Sequence, residues 1–275
     1  MRRMNTQVFV SPLSDRALVS VIGPDWRAFL QGLLSQDVLS LAPGELRFSA
    51  LLTPQGKLVW DLFVLGREDG CWLDVAADRR EALIQRLTLY RLRAKVAIEA
   101  VDAAVLALWP GEAQPQGEGW ARDPRLAALG WRGYGAEPPA EAQAADAQAY
   151  AHWRLALGVP DPGQDCPPET TYPLEANFDL LAGVDFKKGC FVGQETTSRM
   201  KRRAAVRSRL LPIAFDGPAP AFGAEVLAGE LRAGEVRGGA EGRALALLRL
   251  DRIEGQALTV DGRPVRVESP AYPLG

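Results

Sequence analysis

Lys187-Lys188-Gly189-Cys190-Phe191-Val192-Gly193-Gln194-Glu195 sets a thiol, two lysines and two glycines directly before a helix-like run. A helix starting near Gly193 leaves its first backbone N–H groups unpaired, and these point back toward Cys190 with the partial positive charge of the helix start. Lys187 and Lys188 add to that charge, a setting that favours thiolate over thiol. Gly189 and Gly193 let the backbone approach a ligand closely or adopt positive φ. Taken alone, Cys190 reads as a small buried hydrophobe and the glycines as turn formers. Taken together, the residues ask for a bound anion or an active sulfur.

The rest of the chain bounds the class. At 275 residues, 47% hydrophobic and 24% charged, it is a globular protein long enough for two or three cores. A net charge of −2 gives no global attraction to nucleic acid or anionic membrane. No apolar run approaches the roughly 20 residues that span a bilayer. The basic start, Met1 to Val10, reaches Pro12 and Asp15 before a signal-like stretch develops, so a cytoplasmic protein is expected. Cys71, Cys166 and Cys190 are widely separated and odd in number, which argues against a disulfide scaffold or C-x-x-C motif. With His152 the lone histidine, no metal site is expected, and His152 reads as a packed or surface residue.

Periodicity gives an α+β order. Leu18 to Ile22 read as a strand, Pro24 opens a helix with Trp26, Phe29, Leu30, Leu33 and Leu34 on its apolar face, and Thr53-Pro54-Gln55-Gly56 turns a hairpin between Phe48–Leu52 and Leu58–Leu65. Cys71 to Val75 make a strand, Asp78 starts a helix through about Leu92, and strands follow at Lys95–Val101, Val105–Trp109 and Trp131–Tyr134. A loop is expected over Pro110–Gly119, and a helix over Glu141–Leu157 before a proline-rich connection. From Arg207 short apolar strands alternate with Gly-rich turns and no helix, which predicts a small antiparallel barrel. The expected domains are 1–205, α+β, and 206–275, the β-barrel.

Lys188-Gly189-Cys190-Phe191, Gly193-Gln194-Glu195 and Arg199 resemble the signature K-G-C-[YF]-x-G-Q-E-x-x-x-R of the YgfZ-type folate-binding proteins. Pro173 to Phe178, Gly183 to Phe186, Arg154 with Gly158-Val159-Pro160, Phe29 to Gly32, Ser35 to Val38 and Gly56-Lys57 fit the same family, so the resemblance covers most of the chain. It implies a relative of the glycine-cleavage T-protein, in the branch tied to maturation and repair of iron–sulfur proteins. The implied fold is a T-protein-like ring of three subdomains around a central folate cavity: two interleaved N-terminal subdomains and the C-terminal antiparallel barrel.

On this resemblance Cys190 is the functional thiol and Lys188 stabilises the thiolate or an anionic ligand. Asp61, Arg154, Glu175, Asn177, Gly193, Gln194, Glu195 and Arg199 are the implied folate contacts, for tetrahydrofolate or a derivative. The chain departs from the T-protein pattern at two points: Trp60-Asp61 stands where adjacent acids are typical, and Ala156 where a pterin-anchoring glutamate is typical. Both place aminomethyl transfer below an accessory role in iron–sulfur cluster assembly or repair, whose partners are iron–sulfur proteins or their assembly factors. The alternatives are a tetrahydrofolate-dependent aminomethyltransferase and a folate-dependent tRNA-modification factor. Arg199, Lys201, Arg202, Arg203, Arg207 and Arg209 form a basic cluster read as a solvated face, or as a receptor for a folate tail or acidic partner ahead of RNA.

Overall fold

The computed structural model describes residues 7–111, 114–203 and 206–274. The expected boundary at residue 205 and the basic start through Thr6 lie outside them. The chain forms two compact units: unit 1 is 1–51, 60–151 and 181–192, and unit 2 is 52–59, 152–180 and 193–275.

Unit 1 is built on two sheets. The first runs in the order β3-β4-β5-β2-β6, from β2 (Arg16–Ile22), β3 (Leu46–Leu52), β4 (Leu58–Gly66), β5 (Gly70–Ala76) and β6 (Ala97–Val101). Every residue of β4 is buried, so both faces of this strand are covered. The second sheet runs β10-β1-β7-β9-β8, from β1 (Phe9–Pro12), β7 (Val105–Trp109), β8 (Trp120–Arg122), β9 (Trp131–Tyr134) and β10 (Gln143–Ala144). Helix α1 (Trp26–Gln31) buries Trp26 and Leu30; α2 (Arg80–Arg91) buries Leu83 and Leu87 at helical spacing and packs on β2 and β6. The β3–β4 turn is the expected one: Thr53 N donates to Lys57 O (2.8 Å) and Gly56, at φ 84°, donates to Thr53 O (2.8 Å).

Charged side chains between the strands form a buried network. Arg16 donates to Asp61 (2.9 Å) and Asp74 (2.6 Å), Arg132 to Asp74 (2.6 Å) and Asp123 (3.3 Å), and Arg125 to Asp123 (2.8 Å). Tyr134 Oη also donates to Asp74 (3.0 Å), and the Arg132 guanidinium lies 3.7 Å from the centre of the Phe63 ring. Buried charges persist only when paired in this way, and removing one partner strands the other.

Unit 2 ends in a closed six-stranded antiparallel barrel, β11-β14-β13-β12-β15-β16, made by β11 (Ser208–Ala214), β12 (Glu225–Ala228), β13 (Leu231–Ala240), β14 (Arg243–Arg249), β15 (Leu258–Val260) and β16 (Arg263–Val267). Leu211, Ile213, Val226, Val236, Ala246 and Val260 alternate inward to fill it. The barrel carries one helical turn, α6 (Leu250–Ile253), where none was expected.

The helix expected over Glu141–Leu157 is shorter. Gln143–Ala144 pair with β1, and α3 (Ala147–Ala156) starts where the Asp146 carboxylate accepts the Ala149 N–H (2.7 Å), a capping bond that fixes the start. Two further helices belong to unit 2: α4 (Pro162–Asp165) and α5 (Gln194–Arg202).

Candidate functional site

The stretch Lys187–Glu195 divides between the units after Val192. In unit 1 it is a loop with a built foundation. The Asp185 carboxylate accepts the N–H groups of Lys187 (2.7 Å) and Lys188 (3.2 Å), which turns the chain. Val192 N donates to Gly32 O (3.1 Å), and Phe191 is buried. Cys190, between these anchors, is exposed, whereas Cys71 and Cys166 are buried.

Lys188 does something other than face an anion. Its ammonium donates to three backbone carbonyls, of Gln31 (2.8 Å), Leu34 (2.6 Å) and Gln36 (3.0 Å), which fills its three donors. Burial pulls its pKa down to about 8, with Asp37 and Asp185 pulling the other way. Arg27 treats the following stretch alike, donating to the carbonyls of Val38 (2.9 Å) and Leu41 (2.8 Å). Lys188 and Arg27 thus satisfy five backbone carbonyls of the irregular segment 31–41. Ser35 ties the same segment to the thiol-bearing stretch, donating to Gly183 O (2.6 Å) and accepting Asp185 N–H at its carbonyl (3.0 Å).

Asp61 also lies in unit 1, but its carboxylate is held by Arg16 (2.9 Å) within the buried network. Trp60 and Asp61 are successive strand residues and point to opposite faces of β4. The Trp60 ring is covered by the guanidinium of Arg79, 4.8 Å from its centre. Tryptophan here is a packing residue on the face away from Asp61.

The remaining predicted residues lie in unit 2. Gly193 precedes α5 with φ 80°, one of the two roles open to it from the sequence, and a Cβ there would stand 2.6 Å from Thr53 O and 3.0 Å from Gly56 Cα. Gly189 has no such demand: its surroundings are open and its φ is not positive, so it shapes no close approach. Arg154 donates to Val159 O (2.7 Å) and Asp165 (3.1 Å), and Asn177 to Leu210 O (2.7 Å) and Tyr272 Oη (2.9 Å). Both are buried and hold the unit together.

Glu175 is half-buried, and burial raises its pKa, with the Tyr172 N–H (2.8 Å) and the charges of Lys57 and Arg237 working against the rise. Gln194, Glu195 and Arg199 lie on α5, where Glu195 and Arg199 face each other loosely at 3.8 Å. The basic cluster is partly spent: Lys201 (3.1 Å) and Arg209 (3.0 Å) both bind the buried carboxylate of Asp179. Sequence reasoning missed Asp179, Asp185 and Arg27, since a carboxylate two residues before a lysine or an arginine on a helix gives no sign of what it holds. Ala156 and His152 are exposed on α3. Among the described residues no group of three or more His, Cys, Asp or Glu side chains is placed to hold a metal ion, and no helix is long and apolar enough to cross a membrane.

Residues 207–273 match the family model described as the CAF17 C-terminal beta-barrel domain. The chain is 33% identical over 279 residues to the mitochondrial iron–sulfur cluster assembly factor IBA57 of Mus musculus, covering 88% of this chain and 78% of that protein. It is 34% identical over 277 residues to the Homo sapiens counterpart, with the same coverage. A homologue from Phaeosphaeria nodorum is 36% identical over 230 residues, 75% of this chain; the match spans 55% of that longer protein, about half its length.

The fold is similar to that of the glycine cleavage system aminomethyltransferase T from Bartonella henselae, with a TM-score of 0.77 and 18% identity over 96% of this chain and 86% of that one. This likeness bears out the expected T-protein-like α+β fold with its closing barrel. The cytoplasmic placement is overturned by the relatives, which are named as mitochondrial. The expectation rested on the start of the chain lacking a secretory signal-like apolar stretch, a feature that mitochondrial targeting does not require.

Proposed function

Since the chain belongs to the IBA57 family of iron–sulfur cluster assembly factors, we propose that it serves cluster assembly through the thiol of Cys190. The observation that carries this is the exposure of Cys190, alone among the three cysteines, on a loop anchored on both sides by Lys188 and Phe191. Iron–sulfur clusters are held by cysteine thiolates, commonly four. One thiol supplies one ligand, so the cluster, as cargo, takes its others from a client protein or another assembly factor. Cys190 should therefore react with iodoacetamide faster than Cys71 and Cys166 at neutral pH. Cys190→Ser should keep the parent melting transition and fail to restore iron–sulfur enzyme activity in a strain lacking the protein. Full restoration by the serine variant sinks the proposal.

The folate-binding, YgfZ-type branch is the finer reading, and the proposed ligand is tetrahydrofolate or a derivative. Its fit to the implied contacts is uneven. Asp61, Arg154 and Asn177 have their polar groups engaged inside the fold, whereas Glu175 keeps one carboxylate oxygen for a pterin N–H, and Arg199 is exposed as a cation for a glutamate tail. A folate so bound would supply a one-carbon carrier or a regulatory ligand. Aminomethyl transfer is not favoured, because the one carboxylate retained from the acid pair is neutralised by Arg16 and so is a poor partner for a developing positive charge.

A further inference from the structure

The segment Leu89–Val101 of unit 1 takes no part in the site above. Helix α2 stops at Arg91, and Leu92 adopts φ 45° and ψ −103°, a region that a residue with a side chain enters at a cost. Packing does not compensate: Leu92 is 89% exposed, and Leu89, three residues earlier, is 72% exposed. Arg91, Arg93 and Lys95 are exposed around them, with no acid between Tyr90 and Ala97.

The turn is nonetheless firmly held. Ala94 N donates to Arg91 O (2.8 Å), Val96 N to Ala94 O (3.0 Å) and Lys95 N to the Asp25 carboxylate (2.7 Å). Gly23 lies so close that a Cβ on it would stand 2.3 Å from Lys95 O. A surface set in advance loses little freedom on binding.

The chain then enters β6, an edge strand that pairs with β2 on one side and, among the described residues, with no strand on the other. Edges are ordinarily blunted by proline, a bulge or several charges. Here Ala97 and Ala100 are exposed with Glu99 as the only charge in the strand, and Ile22, the register partner of Ala97, is exposed as well.

We propose that Leu89–Val101 is a docking surface for an acidic segment of a second protein, which adds as a strand to β6, covers Leu89 and Leu92 with apolar side chains, and sets carboxylates against Arg91, Arg93 and Lys95. Three like charges on one turn oppose pairing with a second copy of this chain. An open strand edge offers hydrogen bonds that a peptide backbone takes up in register and a lipid surface does not.

The test uses the full chain and three probes: a labelled eight-residue peptide alternating glutamate and valine, its lysine–valine counterpart, and phosphatidylserine vesicles. The acidic peptide should bind by fluorescence anisotropy and slow hydrogen exchange over 97–101; the basic peptide and the vesicles should not bind. Arg91→Glu with Arg93→Glu, and separately Leu92→Gly, should each weaken binding at least tenfold. Glycine suits the positive φ, so Leu92→Gly should melt no lower than the parent, which separates lost binding from lost folding. Absence of peptide binding, equal binding of both peptides, indifference to the substitutions, vesicle binding, or a dimer in sedimentation that masks the segment would each overturn the proposal.

Discussion

Replacing Lys188 with methionine keeps the volume of the side chain and removes the ammonium from the carbonyls of Gln31, Leu34 and Gln36. The cost is set by which carbonyls water can reach. Leu34 is fully buried, while Gln31 and Gln36 are half-buried. The Leu34 carbonyl therefore bears the full penalty of a stranded acceptor, about 1–3 kcal/mol, and the other two, rewetted, add about 0.5 kcal/mol each. Losing the ammonium from the Phe191 ring, 5.2 Å away, adds about 0.5 kcal/mol. The sum is about 3 kcal/mol, which lowers the melting temperature of a protein this size by about 6–12 °C. Thermal unfolding followed by circular dichroism reads the total, and hydrogen exchange at Ser35, Gln36 and Asp37 should quicken first. If Lys188→Met melts within about 2 °C of the parent and exchanges alike over 31–37, the lysine is no clamp.

Gly193→Ala, forced into positive φ against Thr53 O, should lose about 2 kcal/mol or more in urea unfolding, while Gly189→Ala should change stability by less than about 0.5 kcal/mol. Burial works to raise the Asp179 pKa, but the bonds and charges of Arg209 and Lys201 outweigh it and hold the carboxyl below its ordinary 3.8. The unfolded state therefore binds the proton first, so stability conferred above pH 3.8 is lost as pH falls through the lower folded value. Asp179→Asn, measured by melting between pH 6 and pH 3, should melt lower at pH 6 and converge on the parent toward pH 3. Tetrahydrofolate should quench Trp fluorescence on titration, yet the protein should not speed ammonia release from an aminomethyl-lipoyl carrier; multiple-turnover release would restore the aminomethyltransferase reading.

Local chemistry was legible in the sequence. The Thr53–Gly56 turn, the positive φ before α5 and the alternation that builds the barrel each follow from residues within a few positions of one another. The functions of charged residues were not legible, because their partners are remote. Lys188 reads as a companion to Cys190, two positions away, and instead serves carbonyls more than 150 residues upstream. Arg16, Asp74, Asp123, Arg125 and Arg132 sit in strands and turns where a charge ordinarily faces water, and only pairing across strands allows them inside. Trp60 stands in the sequence where an acid is typical, whereas strand alternation turns it to the face away from Asp61.

The chain passes between the two units five times, and this has a consequence for its birth on the ribosome. Synthesis delivers Gln31, Leu34 and Gln36 early and Lys188 some 152–157 residues later, so the nascent N-terminal half must wait with those carbonyls unserved. Unit 1 closes only after Val192 has emerged, and the stretch that completes it also carries Cys190. A chain cut short before Lys188 has neither the clamp nor the thiol. Arrival of the reactive sulfur and completion of the unit that holds it therefore fall within a few residues of synthesis of one another.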